Sequence, residues 1–278
     1  MIKHLILSTF SLMAATLSIL AQHPSLPLRD LPSDDLAFAA GEKAVYTVHY
    51  KWGAINTDVA TGHLTTESAS YKGQAAYKCR LYGRTAKFYD SFFKVREDFC
   101  AWISTDHLRP LRYTRDVREG GYYANDEYSY DHGAKLINAR LNNKKKGERE
   151  VRLPLEEGMT SDFITEMFRI RHMDFDRLTP GGLYSYNLAN GSKVSPLLIK
   201  YKGLDSKKVK GLGTVESHRF VITLSGAEQF AEGAEMQVWI SNDDNRLIVA
   251  METPIRVGNI VARLSSYEGL RHPFAALQ

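Results

Sequence analysis

From residue 44 onward, apolar and polar positions alternate in short runs punctuated by Gly, Asn and Asp. That is the pattern of half-buried β-strands. Residues 44–52 (AVYTVHYKW) open the series, rich in β-branched and aromatic side chains, and Gly53 closes the run. Runs at 55–66, 75–83, 92–104, 111–118 and 122–131 follow, with turns at Tyr71-Lys72-Gly73-Gln74 and Gly120-Gly121. The C-terminal half adds 183–188, 197–202, 215–224, 234–241, 247–253 and 260–267. The period changes once. Phe163, Ile164, Met167 and Phe168 recur at helical spacing, behind Ser161 or Asp162 as N-cap, and Arg169, Arg171 and His172 complement the negative end. The expected fold is mainly β: a strongly curved antiparallel sheet or half-open β-barrel or sandwich, with one amphipathic α-helix at 161–172 packed on it.

The N-terminal segment reads differently. Lys3 precedes an apolar run from Leu5 to Leu20, and Ala21 stands at a plausible cleavage point. This is the layout of a secretory signal peptide at 1–21, and it predicts a periplasmic mature protein. The rival is an uncleaved membrane anchor, which Ser8, Thr9, Ser11, Thr16 and Ser18 weaken by lowering the hydrophobicity. No cysteine lies near Ala21 to accept a lipid. Residues 22–37 are Pro-rich and read as an extended lead-in. The folded body is then 38–278, a single β-rich domain with room for a hinge near 153–162 between two sheet halves. Residues 142–150 (NNKKKGERE) read as a charged loop: a solvated hairpin tip, or a site for an acidic partner.

Composition narrows the function classes. The chain has 278 residues, 44% hydrophobic and 24% charged, with a formal net charge of +4. That excludes a disordered chain, and the modest charge argues against a nucleic-acid partner. Two cysteines exclude a disulfide-dense scaffold and a four-thiolate zinc site. A hairpin turning at Tyr89-Asp90 would set Cys79 opposite Cys100. Yet Cys79 shares a face with Ala75, Tyr77 and Leu81, whereas Cys100 shares one with Arg96 and Asp98. Matching the buried faces puts the two sulfurs on opposite sides and favours free thiols, unless a bulge or a sheet covered on both faces brings them together.

Catalytic motifs are missing. H-E-x-x-H, Cys-x-x-Cys and G-x-S-x-G are absent, and none of the nine histidines makes a close pair with His or Cys. Gly211-Leu212-Gly213 lacks the rest of a phosphate loop, and Asn242-Asp243-Asp244-Asn245 fits a tight turn better than a calcium loop. Glu97 and Asp98 are adjacent on a strand and so point to opposite faces. No catalytic residue, metal or cofactor is assigned. The candidate ligand-binding residues are Tyr122, Tyr128 and Tyr130, which share strand parity, with Arg112 and Arg118 on the preceding strand. Arg and Tyr on neighbouring strands suit sugars or anionic headgroups; cross-strand packing is the plainer use of the same pairs.

Several segments resemble a known family. Phe38-Ala-Ala-Gly41-Glu42-Lys-Ala-Val-Tyr46 is similar to the F-x-x-G-E start of the exported bacterial family of domain of unknown function 3108. The run from Asp162 through Arg169 to Arg171 resembles its central D…R segment. The stretch from Trp239 through Asp243 to Arg246, followed by Gly258 and Leu264, resembles its closing W-x-S-x-D-x-x-R and G…L pair. The Ala-Gln junction after the leader is similar to export signals of the Bacteroides group. The resemblance implies a mostly antiparallel β envelope protein without an established activity. It carries over no catalytic residues, and Gly41, Glu42, Asp162, Arg171, Trp239 and Asp243 are expected to be mostly structural.

The leading expectation is a non-enzymatic envelope binding module for a lipid-like or glycan-like ligand, membrane-adjacent but not membrane-spanning after cleavage. The alternatives are a structural or interaction module with an envelope protein partner, and a hydrolase whose site is assembled from distant residues.

Overall fold

The computed structural model describes residues 23–30, 36–223, 234–255 and 257–278. The leader at 1–21 lies outside the described residues. Eight strands fill the first half: β1 (Lys43–Trp52), β2 (Ile55–Tyr71), β3 (Gln74–Thr85), β4 (Val95–Ser104), β5 (Pro110–Glu119), β6 (Tyr122–Asp131), β7 (Leu136–Asn143) and β8 (Gly147–Pro154). The two-residue β9 (Thr160–Ser161) leads into helix α1 (Phe163–Arg169) and a 3₁₀ turn at Ile170–His172. Then come β10 (Leu183–Asn190), β11 (Lys193–Val209), β12 (Gly213–Thr223), β13 (Glu235–Ser241), β14 (Ile248–Pro254) and β15 (Asn259–Glu268).

All fifteen belong to one sheet, ordered β8-β7-β6-β5-β4-β3-β2-β1-β15-β14-β13-β12-β11-β10-β9. Every pairing is antiparallel except β9 with β10. Flat, fifteen strands would span about 65–70 Å at ~4.8 Å each. The chain passes from β8 to β9, opposite edges of the sheet, through residues 155–159. Such a link reaches about 20 Å at most. The sheet must therefore curl until its edges approach. Tyr128 on β6 accordingly donates a hydrogen bond across the interior to the Gly191 carbonyl in the β10–β11 turn, at 3.3 Å. The stretch read as a hinge between halves is the link between edges.

Two differences from the sequence reading have local causes. The strand expected from residue 92 starts at Val95, because a 3₁₀ turn at Tyr89–Ser91 places Phe92 and Phe93 in a loop. The stretch 142–150, read as a solvated hairpin tip, is the tip of the β7–β8 hairpin; the difference is the two flanking strands, which the sequence reading did not give. Ile137, Ala139 and Leu141 of β7 enter the core, and Lys144, Lys145 and Lys146 form the exposed turn.

The helix lies on the inner side of the sheet. Asp162 caps it, accepting from the Thr165 amide at 2.8 Å, and Ile164, Met167 and Phe168 are buried. Phe168 packs edge-on against Phe38, with ring centroids 4.9 Å apart. Above these rings Arg171, 2% exposed, donates two hydrogen bonds to the Glu42 carboxylate at 2.5 and 2.8 Å. It also donates to the carbonyls of Ala37 and Asn245. Asn245 sits in the β13–β14 turn, where the Asp243 carboxylate accepts from Ser241 Oγ and from the Asn245, Arg246 and Ala276 amides. One guanidinium thus joins the lead into β1, the helix and that turn. Residues 23–30 add a short docked segment: Ser25 bridges Ser185, Leu28 bridges Met173, and Leu26 is buried.

Candidate functional site

Register decides which side chains meet. On β5 and β6, Arg112 stands opposite Ser129 and Tyr113 opposite Tyr128. Directly opposed residues share a face. The sheet therefore separates the five candidates: Arg112 and Arg118 are on the outer face, and Tyr122, Tyr128 and Tyr130 are on the inner one. Tyr128 and Tyr130 are core residues, and burial pushes both phenols upward. Tyr130 donates to the Asp162 carboxylate at 3.1 Å, which ties β6 to the helix cap. Tyr122 is half-buried opposite Glu119, and Arg118 is exposed beside Asp116 at 3.6 Å. No common Arg–Tyr surface forms.

Arg112 belongs to a different constellation. Across β3, β4 and β5, Lys78, Trp102 and Arg112 lie in register on the outer face. The Arg112 guanidinium sits 4.7 Å from the Trp102 ring centroid and the Lys78 ammonium 5.8 Å away. Arg112 Nε donates to Glu127 at 2.9 Å, and Arg140 holds the other oxygen of that carboxylate at 3.0 Å. One step along the strands, Arg80 makes a two-pronged contact with Asp98 at 2.7 and 2.6 Å. These groups line a basin of about 440 Å³, and a second basin of about 460 Å³ adjoins it through Glu127 and continues over Asn138, Arg140, Glu150 and Arg152. The result is a polar trough across the outer face of β3–β8, with one indole, Trp102 of β4, in its first basin.

Both cysteines are free, and the register keeps them apart: Cys79 pairs with Ala101 and Cys100 with Arg80. Cys79 faces the core, and Cys100 lines the trough. Burial pushes the Cys79 thiol well up and the Cys100 thiol to about 11, so neither supplies a thiolate near neutral pH.

The adjacent-carboxylate search overlooked a pair assembled across strands. Glu97 faces inward, opposite Val117, while Asp98 faces out. Burial first, and the neighbouring Glu119 second, raise the Glu97 carboxyl to about 7. Neither glutamate lines the trough. An unfolded glutamate ionises near pH 4.3. A raised folded value therefore means stability present below about pH 4.3 and lost as pH rises through about 7. Glu97→Gln is expected to be more stable than the parent by a few kcal/mol at pH 8 and close to it at pH 4.5. Thermal melts at the two pH values check this; a difference that does not change with pH contradicts the assignment.

Comparison with known proteins agrees with the fold. The family model described as "Protein of unknown function (DUF3108)" matches residues 45–265. A search among curated proteins finds no match. Among solved structures, the chain is similar to the crystal structure of a β-barrel-like protein of domain of unknown function DUF1849 from Brucella abortus. The TM-score is 0.51 and the identity 10%, over 88% of this chain and 98% of that one. At that identity the likeness concerns the fold alone.

Proposed function

We propose that this chain, which belongs to the DUF3108 family of proteins of unknown function, is a non-enzymatic binding module of the cell envelope for a glycan-like ligand. The trough carries this reading. Sugars present alternating hydroxyls and apolar ring faces, and they are bound by fixed planar polar groups beside an aromatic ring. The trough supplies Asp98, Glu127 and Asn138 as such groups and Trp102 as the ring, with guanidinium partners that hold the carboxylates in place. Its polar lining favours a glycan over a lipid-like occupant. Two adjoining basins suit an extended chain of sugars. Both thiols are pushed upward, and the inward-facing glutamates lie away from the trough, which supports binding without turnover. The signal-peptide layout at 1–21 supports export.

The test is a screen of envelope oligosaccharides by native mass spectrometry and titration calorimetry. Trp102→Ala is expected to weaken the best ligand roughly thirtyfold, the size of a ~2 kcal/mol hot spot, with a small change in melting temperature. A ligand whose affinity ignores Trp102→Ala and Arg112→Ala, or a screen without binders, overturns the assignment.

A further inference from the structure

The strand directions gather one set of hairpin tips at one end of the sheet. β1 ends and β2 begins there at Trp52 and Ile55, β3 ends at Thr85, β5 turns into β6 at Gly120-Gly121, and β14 turns into β15 around Val257. Of the nine large hydrophobic residues exposed among the described residues, seven lie at this end. Phe88 and Phe92 are 71% and 76% exposed, Phe93 57% and Trp52 53%; Ile55, Tyr123 and Val257 complete the set. Large side chains this exposed lose free energy in water, and their concentration on one rim marks a contact surface.

The rim is continuous. Tyr50 donates to the Val257 carbonyl at 3.0 Å, which ties the β14–β15 turn to the β1–β2 tip. Thr57 bonds the Tyr89 hydroxyl at 2.9 Å, bringing in the Phe88–Phe93 loop. Phe93 lies against Gly120, and Lys144 donates to the Gly121 carbonyl at 2.6 Å. Interleaved with the aromatics are the exposed cations Lys51, Lys87, Lys94 and Lys144–Lys146. Of the nearby carboxylates, Asp90 is engaged by Arg96 at 2.6 Å and Asp58 by Arg263 at 2.7 Å, and the six lysines outnumber Glu119 and Glu148, which also lie at this end. The surface therefore offers net positive charge beside Trp and Phe.

We propose that this rim docks on an anionic lipid bilayer. Trp52 and Tyr123 meet the headgroup zone, where Trp and Tyr concentrate, the Phe side chains enter the acyl boundary, and the lysines meet anionic headgroups. Among the described residues no helix is long and apolar enough to cross a membrane; the attachment proposed is peripheral, through side chains of the rim. The rim and the trough are separate surfaces, and the proposal does not depend on the glycan reading.

The experiment is co-sedimentation of the purified chain, without residues 1–21, with vesicles of phosphatidylethanolamine and phosphatidylglycerol at 7:3, and with pure phosphatidylcholine. Binding is expected to the anionic vesicles and to weaken in high salt. Phe88→Ser with Phe92→Ser, both at exposed positions, is expected to keep the parent melting temperature and to weaken binding about tenfold or more. Replacing Lys144 and Lys146 with glutamine is expected to cost roughly fivefold per charge. As an independent readout, Trp52 fluorescence shifts to the blue on vesicles, and Trp52→Phe removes that shift. No sedimentation with anionic vesicles overturns the proposal. So does binding indifferent to the Phe88 and Phe92 changes, or a self-association that those changes abolish while vesicle binding is absent, which assigns the rim to a protein contact.

Discussion

Arg171→Ala is expected to lower folding stability by about 3–5 kcal/mol, the cost of leaving one member of a buried ion pair without the other. For a chain of this size that is a drop in melting temperature of about 5–10 °C. The expectation rests on what would be stranded. Glu42 is 2% exposed and takes two hydrogen bonds from this guanidinium, and the carbonyls of Ala37 and Asn245 also accept from it. Alanine leaves a buried carboxylate and two carbonyls without their donor. Arg171→Lys is expected to recover only part of the loss, since an ammonium cannot reproduce the planar fork. The double change Arg171→Met with Glu42→Leu is expected to be milder than Arg171→Ala alone, because no charge remains to be stranded. Urea unfolding of the four proteins decides it. An alanine variant within 1 kcal/mol of the parent would falsify the view that this residue joins the three segments.

Phe168→Ala is expected to cost about 3–5 kcal/mol, by deleting a buried ring and leaving a cavity. Phe168 is fully buried on α1, packs edge-on with Phe38, and lies 5.6 Å from the Arg171 guanidinium. A seven-residue helix has little stability of its own. Its buried face holds it in place, and this ring is the largest part of that face. Phe168→Leu keeps part of the volume and is expected to lose about 1–1.5 kcal/mol. Because Phe168 and Arg171 touch the same ring, the two alanine changes are expected to be non-additive when combined. Denaturant unfolding of the single and double variants measures that coupling. A loss below 1 kcal/mol for Phe168→Ala would mean the helix is held by something else.

The strands were legible where a turn residue and a period of two coincided. Lys72-Gly73 both take positive φ between β2 and β3, as a tight hairpin requires. The helix was legible because four apolar residues break that period and Asp162 precedes them. β7 and β8 were masked by their own solvent face: Arg140, Glu148, Glu150 and Arg152 dominate the stretch, while the Ile137, Ala139 and Leu141 alternation is short. The cysteine geometry followed from matching faces, and the register agrees. The Arg–Tyr surface failed for a specific reason. Parity says which residues of one strand share a face, but only register relates two strands. Here even-numbered residues of β5 oppose odd-numbered residues of β6. Glu42 and Arg171 could be marked as motif positions, yet nothing local reveals that positions 129 residues apart form one ion pair.

The strand order also bears on how the chain reaches this state. Every pairing joins strands consecutive in sequence except β1 with β15. Two wings, β1–β8 and β10–β15, can therefore grow hairpin by hairpin, each step closing only a short loop. The junction of β1 with β15 must instead bring Lys43 to Glu268. Loop-closure entropy makes that contact costlier than a ten-residue hairpin by about 3 kcal/mol. It is expected to form late, once both wings exist. Until then β1 and β15 are unpaired edges, the segments most open to pairing with another chain.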